Sequence, residues 1–150
     1  MSASSPKMYR AMIPQPSSTS TPLIPAVGTD GNKLGVRVPP HPRADVHPDS
    51  SGNVGPIGEG LSVAPSLRKL PQVLVPERLR DKRPGARGSN TLQVFCLGEG
   101  AFVRAPVGDS LELFPTSSSH GVIQPIRTTP VEEYQQHLAA TQTLWTVDET

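Results

Sequence analysis

Apolar residues fall in short bursts separated by polar, turn-rich stretches, and their spacing predicts several brief strands and one helix. MYRAMI (8–13) is an apolar run broken by a single arginine and ended by Pro14, which reads as a strand with Arg10 on one face. LGVRV (34–38) is a second short strand candidate, closed by Pro39 and Pro40. LQVFCLG (92–98) is the richest in apolar and β-forming residues, while AFVRAPV (101–107) and LELF (111–114) are weaker candidates. After the Ser117-Ser118-Ser119 loop, HGVIQPI (120–126) alternates as an extended segment. Between them, SLRKL predicts a helical turn and PQVLVPERL a short extended piece.

The final element reads as a helix. Thr129 with Glu132 fits a capping box, Pro130 takes the first helical position, and Glu133 suits the positive end of the helix. Val131, Tyr134, Leu138, Thr141 and Trp145 recur at spacings of three or four and form one buried stripe. Turn formers fill the connections. The Pro/Ser/Thr/Gly-rich 14–32 stretch reads as a flexible loop or insertion, Asp49 to Asn53 as a tight turn, and 81–91 as a polar linker. Gly55, Gly58 and Gly60 lead into Leu61-Ser62-Val63, a backbone bare enough to approach a ligand closely. No helix–strand alternation recurs, so a doubly wound parallel sheet is not expected. The expectation is one α+β domain over 1–150, its core over 8–150, with long Pro/Gly-rich loops.

Composition narrows the class. An apolar content of 35% with 18% charge does not describe a highly charged disordered chain. The net charge of +1 steers the protein neither to nucleic acid nor to an anionic membrane. The one basic cluster, ERLRDKRPGAR (77–87), reads as a solvated loop, or as a docking patch if the fold supports it. A single cysteine, Cys96, excludes an internal disulfide, and its apolar setting makes it a buried structural thiol. No apolar stretch reaches transmembrane length and the first residues lack a secretory h-region, so a chain with no membrane span and no signal peptide is expected.

The sequence carries no P-loop, no strand-to-helix GxGxxG, no HExxH and no GxSxG elbow. No metal site is expected. His41 and His47 stand among prolines and read as solvent-facing; His137 lies off the apolar stripe of the helix and reads as exposed. Three residues stand out. His120 opens the extended segment before the helix, where an imidazole suits either acid–base chemistry or ligand positioning. Ser62 follows the glycines. Arg10 interrupts an apolar strand, where a guanidinium either pairs with an acid or grips a phosphate or carboxylate with two hydrogen bonds.

The ordered blocks MYRA (8–11), DVHPDSSGNVGPIGEGLSV (45–63) and SHGVIQP (119–125), followed by a helix, resemble the Tse-type toxin family. These are type VI secretion exported effectors of the second-named kind, grouped with ADP-ribosyltransferase-like toxins. The resemblance spans most of the chain from residue 8, apart from 14–32. It implies a compact split β-sheet around a cleft with NAD as cofactor. Tyr9, Arg10, Gly60, Ser62 and His120 would contact the cofactor, and Ser62, His120 and Gln124 would form the catalytic set. Gln124 stands in the third block where such transferases often carry a glutamate, and Glu59 or Glu99 is the candidate for nearby negative charge. The resemblance also implies a cognate immunity protein, an acceptor in the cytoplasm of a recipient cell and a producer that holds the toxin in its cytoplasm. Two other readings stay open at this point: a non-catalytic interaction module, and a nuclease-type toxin.

Overall fold

A computed structural model of the protein describes residues 5–17, 20–29 and 32–150. In chain order the strands are β1 (Met8–Met12), β2 (Pro14–Ser17), β3 (Ser20–Pro25), β4 (Asn53–Val54) and β5 (Leu61–Val63). Three 3-10 turns, Leu67–Lys69, Gln72–Leu74 and Glu77–Leu79, then precede β6 (Gln93–Leu97), β7 (Ala105–Val107), β8 (Leu111–Pro115) and β9 (Gly121–Pro125). The chain closes with β10 (Thr129–Pro130), helix α1 (Val131–Ala139), a 3-10 turn and β11 (Thr146–Val147). The class is α+β, mostly antiparallel sheet with one C-terminal helix.

Two sheets organise the core. One runs β1-β6-β11 and the other β5-β9-β8-β7, all neighbours antiparallel. The two-residue period of the strands sorts side chains to opposite faces. Met8 and Met12 of β1, with Phe95 and Leu97 of β6, point into a cluster shared with Leu61, Leu113, Ile123 and the helix residues Tyr134 and Leu138. Tyr9, Val94 and Cys96 point the other way, into a second cluster with Leu67, Leu70, Val75, Leu79 and Ala86. The first sheet is therefore covered on both faces, and each fully buried leucine or phenylalanine contributes roughly 1.5–3 kcal/mol. Cys96 is buried, as its apolar run implies, and burial raises its thiol above the ordinary range.

Several expectations are corrected. The 14–32 stretch read as a loop contains the β2–β3 hairpin; its prolines sit on a two-stranded ribbon, where a missing N–H removes little from a ladder. The 34–38 segment is not a strand: Leu34 makes one bridge to Val27, and side chains replace a ladder beyond it. Of 101–107 only Ala105–Val107 is extended, and the PQVLVPERL segment forms 3-10 turns. The capping box does not form. Thr129 is drawn into the ladder opposite Val54, its Oγ1 donates to the Arg127 carbonyl, and the first helical N–H, from Val131, goes to Gly52 O at 3.0 Å. Pro130 is thus the residue before the helix and not its first. The buried stripe survives past the helix end: Trp145 Nε1 donates to Thr141 Oγ1 at 3.0 Å, and both residues are buried. His137 is half-buried with an enclosed Nδ1 that finds no partner.

The tight turn is as expected, with the Ser51 and Asn53 amides donating to Asp49 Oδ1. The basic 77–87 loop is fastened as well as solvated, since Arg78 grips Glu149 with two bonds of 2.6 and 2.9 Å. No helix among the described residues is long and apolar enough to cross a membrane.

Candidate active site

A cleft of about 570 Å3 opens beside β1 and β5. Arg10 and Ala11 form its floor, Ser62, Val63 and Ala64 one wall, and Arg37, Arg43 and Asp45 another. The 3-10 segment from Lys69 to Leu74 makes an apolar rim, and Ser119 with His120 closes one end. The structure thus brings Arg10, Ser62 and His120 together from strands far apart in sequence.

Arg10 shares a strand face with Met8 and Met12, which forces its guanidinium against the main core. Nη1 donates to Ser62 O at 2.9 Å and Nη2 to Lys33 O at 3.1 Å, whereas the buried Nε has no partner. Burial lowers its pKa to about 10; Asp45 offsets part of this through space and Arg37 adds to it. The group stays protonated at neutral pH. Among the described residues no carboxylate pairs with it directly. Asp45 is committed to Arg37, taking Nη2 on Oδ1 at 3.0 Å and Nε on Oδ2 at 3.1 Å. A buried cation that lines a cleft and has no carboxylate partner carries uncompensated positive charge.

Ser62 sits in β5 opposite Val122 of β9, half-buried at the cleft wall. His120 is exposed at the start of β9. Its Nδ1 lies 2.7 Å from Thr116 Oγ1, which orients the ring and leaves Nε2 as the nitrogen for the cleft. Burial by its surroundings lowers the imidazole pKa below 6.5, so the ring is neutral at pH 7.

The other expected site residues lie elsewhere. Tyr9 faces the second cluster, its hydroxyl donating to Asp148 Oδ2 at 3.2 Å with Lys7 Nζ 5.6 Å from the ring. Gly60 is outside the cleft lining, packed against the Ile123 carbonyl and the Tyr134 hydroxyl. Gln124 is buried in β9, its Oε1 accepting from Gly58 N at 2.9 Å and its Nε2 donating to Glu112 Oε2 at 2.7 Å. Glu59 holds His47 in a separate hollow of about 240 Å3, and Glu99 is exposed and outside the cleft lining.

A family model of the Tse2 ADP-ribosyltransferase toxin matches residues 22–150. The chain belongs to that family. Nothing among curated proteins or solved structures matches it. The family match includes Ser62, His120, Gln124 and α1; β1, with Tyr9 and Arg10, precedes it and joins the site only through the fold.

Four further charged residues of this family member line the cleft, Arg37, Arg43, Asp45 and Lys69, and nothing in their sequence setting singled them out except at Arg37. Arg37 carried the signal that marked Arg10, a guanidinium in an apolar run. Glu112, equally unmarked in sequence, faces Gln124 across the β8–β9 ladder. Burial pushes the Glu112 carboxyl up, but hydrogen bonds from Arg104 and Gln124 outweigh it and hold the group below 4.5. A carboxyl with a depressed folded pKa stabilises above the ordinary carboxylate range and loses that contribution as pH falls through the folded value. Urea denaturation from about pH 5 to about pH 3 should therefore cost the native protein more stability than Glu112→Gln. Equal losses would show that the Arg104–Glu112–Gln124 chain does not hold the ionised form.

Proposed function

We propose that the protein is an NAD-dependent ADP-ribosyltransferase toxin and that the cleft of Arg10, Ser62 and His120 binds NAD. The observation that carries this is Arg10: a buried, charged guanidinium with an unpartnered Nε, opening on a cleft in a member of this toxin family. The lining suits a dinucleotide. Arg10, Arg37, Arg43 and Lys69 offer positive charge to a pyrophosphate, and Leu70, Val73 and Leu74 offer an apolar face to a ring. The two sheets flanking the main core are read as the split sheet of ADP-ribosyltransferases.

NAD would supply an ADP-ribosyl group, its bond to nicotinamide breaking with the electron pair leaving on nicotinamide while the acceptor's nucleophile bonds to the ribose carbon and gives up a proton. Arg10 holds the phosphates, helped by Arg37, whose orientation Asp45 fixes. Ser62 orients the ribose next to nicotinamide. His120, neutral at pH 7, has Nε2 free to take the acceptor's proton. Gln124 acts from the buried side, holding Gly58 and thereby the glycine approach to Ser62.

In this reading the toxin acts on an acceptor in the cytoplasm of a recipient cell after type VI export, and its producer carries an immunity protein. A protein covering the cleft mouth would meet Arg43 and Lys69, so the immunity surface should be acidic. Ser62→Ala and His120→Ala should each relieve toxicity in a susceptible cell while leaving the melting profile unchanged. If both folded variants kill as the native protein does, these residues do not carry the activity.

A further inference from the structure

Through two adjacent side chains, helix α1 holds two backbone segments that adjoin the cleft lining at Arg37 and Ser62. Tyr134 is fully buried; its hydroxyl donates to Ile123 O and accepts from Leu61 N at 3.2 Å. It is thus wedged into the β5–β9 ladder where Leu61 opposes Ile123. Gln135 turns about 100° further round the helix and brackets Val36. Its Oε1 accepts from Val36 N at 3.0 Å and its Nε2 donates to Val36 O at 2.8 Å, so one amide side chain replaces a neighbouring strand. The backbone around both contacts is close: a Cβ on Gly60 would lie 2.8 Å from the Tyr134 hydroxyl, and one on Gly35 would lie 3.2 Å from Gln135 Oε1.

These two anchor points flank the carbonyls that hold Arg10. Leu61 precedes Ser62, whose carbonyl takes Nη1, and Val36 closes the short segment begun by Lys33, whose carbonyl takes Nη2. Arg10 therefore joins the same two segments that Tyr134 and Gln135 tie to the helix.

We infer that Tyr134 and Gln135 are positioning residues of the cleft: they set the separation of the Lys33–Val36 and Leu61–Ser62 segments, and so fix the Arg10 guanidinium that both segments hold at the cleft. Neither touches the ligand. The pair acts through Arg10, and the ligand side of the inference rests on the NAD reading above.

The test uses the full chain with Gln135→Met, which keeps the side-chain length but deletes both bonds to Val36, and Tyr134→Phe, which removes the wedge hydroxyl alone. Gln135 is half-buried, and Gln135→Glu, which keeps the acceptor for Val36 N–H, is the milder variant. Two quantities are read after melts confirm folding. One is the rate at which phenylglyoxal modifies Arg10, followed by peptide mass spectrometry with exposed Arg68 as internal standard. The other is NAD affinity. Release of either segment should raise Arg10 modification about fivefold with Arg68 unchanged, and weaken NAD about tenfold, as one lost charge-assisted hydrogen bond would. Folded variants in which Arg10 reacts at the native rate would overturn the inference. A native protein that binds no NAD would overturn the functional reading instead, and the Arg10 rates would still decide whether the helix sets the two segments.

Discussion

Arg10→Met is expected to abolish the activity of the folded protein while changing its stability little. The argument separates two costs. Enclosing a guanidinium without a carboxylate carries a desolvation penalty, and burial has already lowered its pKa to about 10. The two carbonyl bonds, from Ser62 O and Lys33 O, offset only part of that, because Nε remains unpaired. Methionine fills similar space without charge, so the desolvation relieved offsets the two carbonyl bonds lost. Affinity for NAD should nevertheless fall roughly 100-fold, since a charged donor to phosphate contributes about 1.5–3 kcal/mol. Melting and calorimetric titration on the same sample check both halves. A large drop in stability with unchanged affinity would make Arg10 a structural residue.

Gly60→Ala should have the largest effect on folding. A Cβ there would stand 2.1 Å from the Ile123 carbonyl oxygen and 2.8 Å from the Tyr134 hydroxyl. The first obstacle is backbone and the second is fully buried, so neither can step aside. Accommodation means parting β5 from β9 or expelling Tyr134, and either costs about 3 kcal/mol or more. Urea denaturation measures it directly. A variant within about 0.5 kcal/mol of the native protein would show that the strands and helix are not packed this closely.

The strands that were legible in sequence are those whose pattern is self-sufficient. MYRAMI, LQVFCLG and HGVIQPI each hold enough apolar residues to declare a strand, and each became one. LGVRV has the same pattern and did not, because Gln135, distant in sequence, and the nearby Asp45 satisfy its backbone in place of a neighbouring strand. The helix was readable from its stripe, but its start was not: pairing of Thr129 with Val54 overrode local capping chemistry. The same division holds at the cleft. Arg10 and His120 were visible as polar groups in odd places. Tyr9 adjoins Arg10 in sequence, yet strand alternation sends it to the opposite face. Lys69 and Arg43 look like any surface cation until the fold sets them around one opening, and Glu112 gains meaning only from its register opposite Gln124.

Release of nicotinamide from NAD by the full chain tests the proposed activity most directly. The native protein should release it over time, with Arg10→Met and Ser62→Ala giving a folded protein and no release. A native protein that is folded and toxic, yet neither binds NAD nor frees nicotinamide with any acceptor present in a cell extract, would contradict the proposed chemistry.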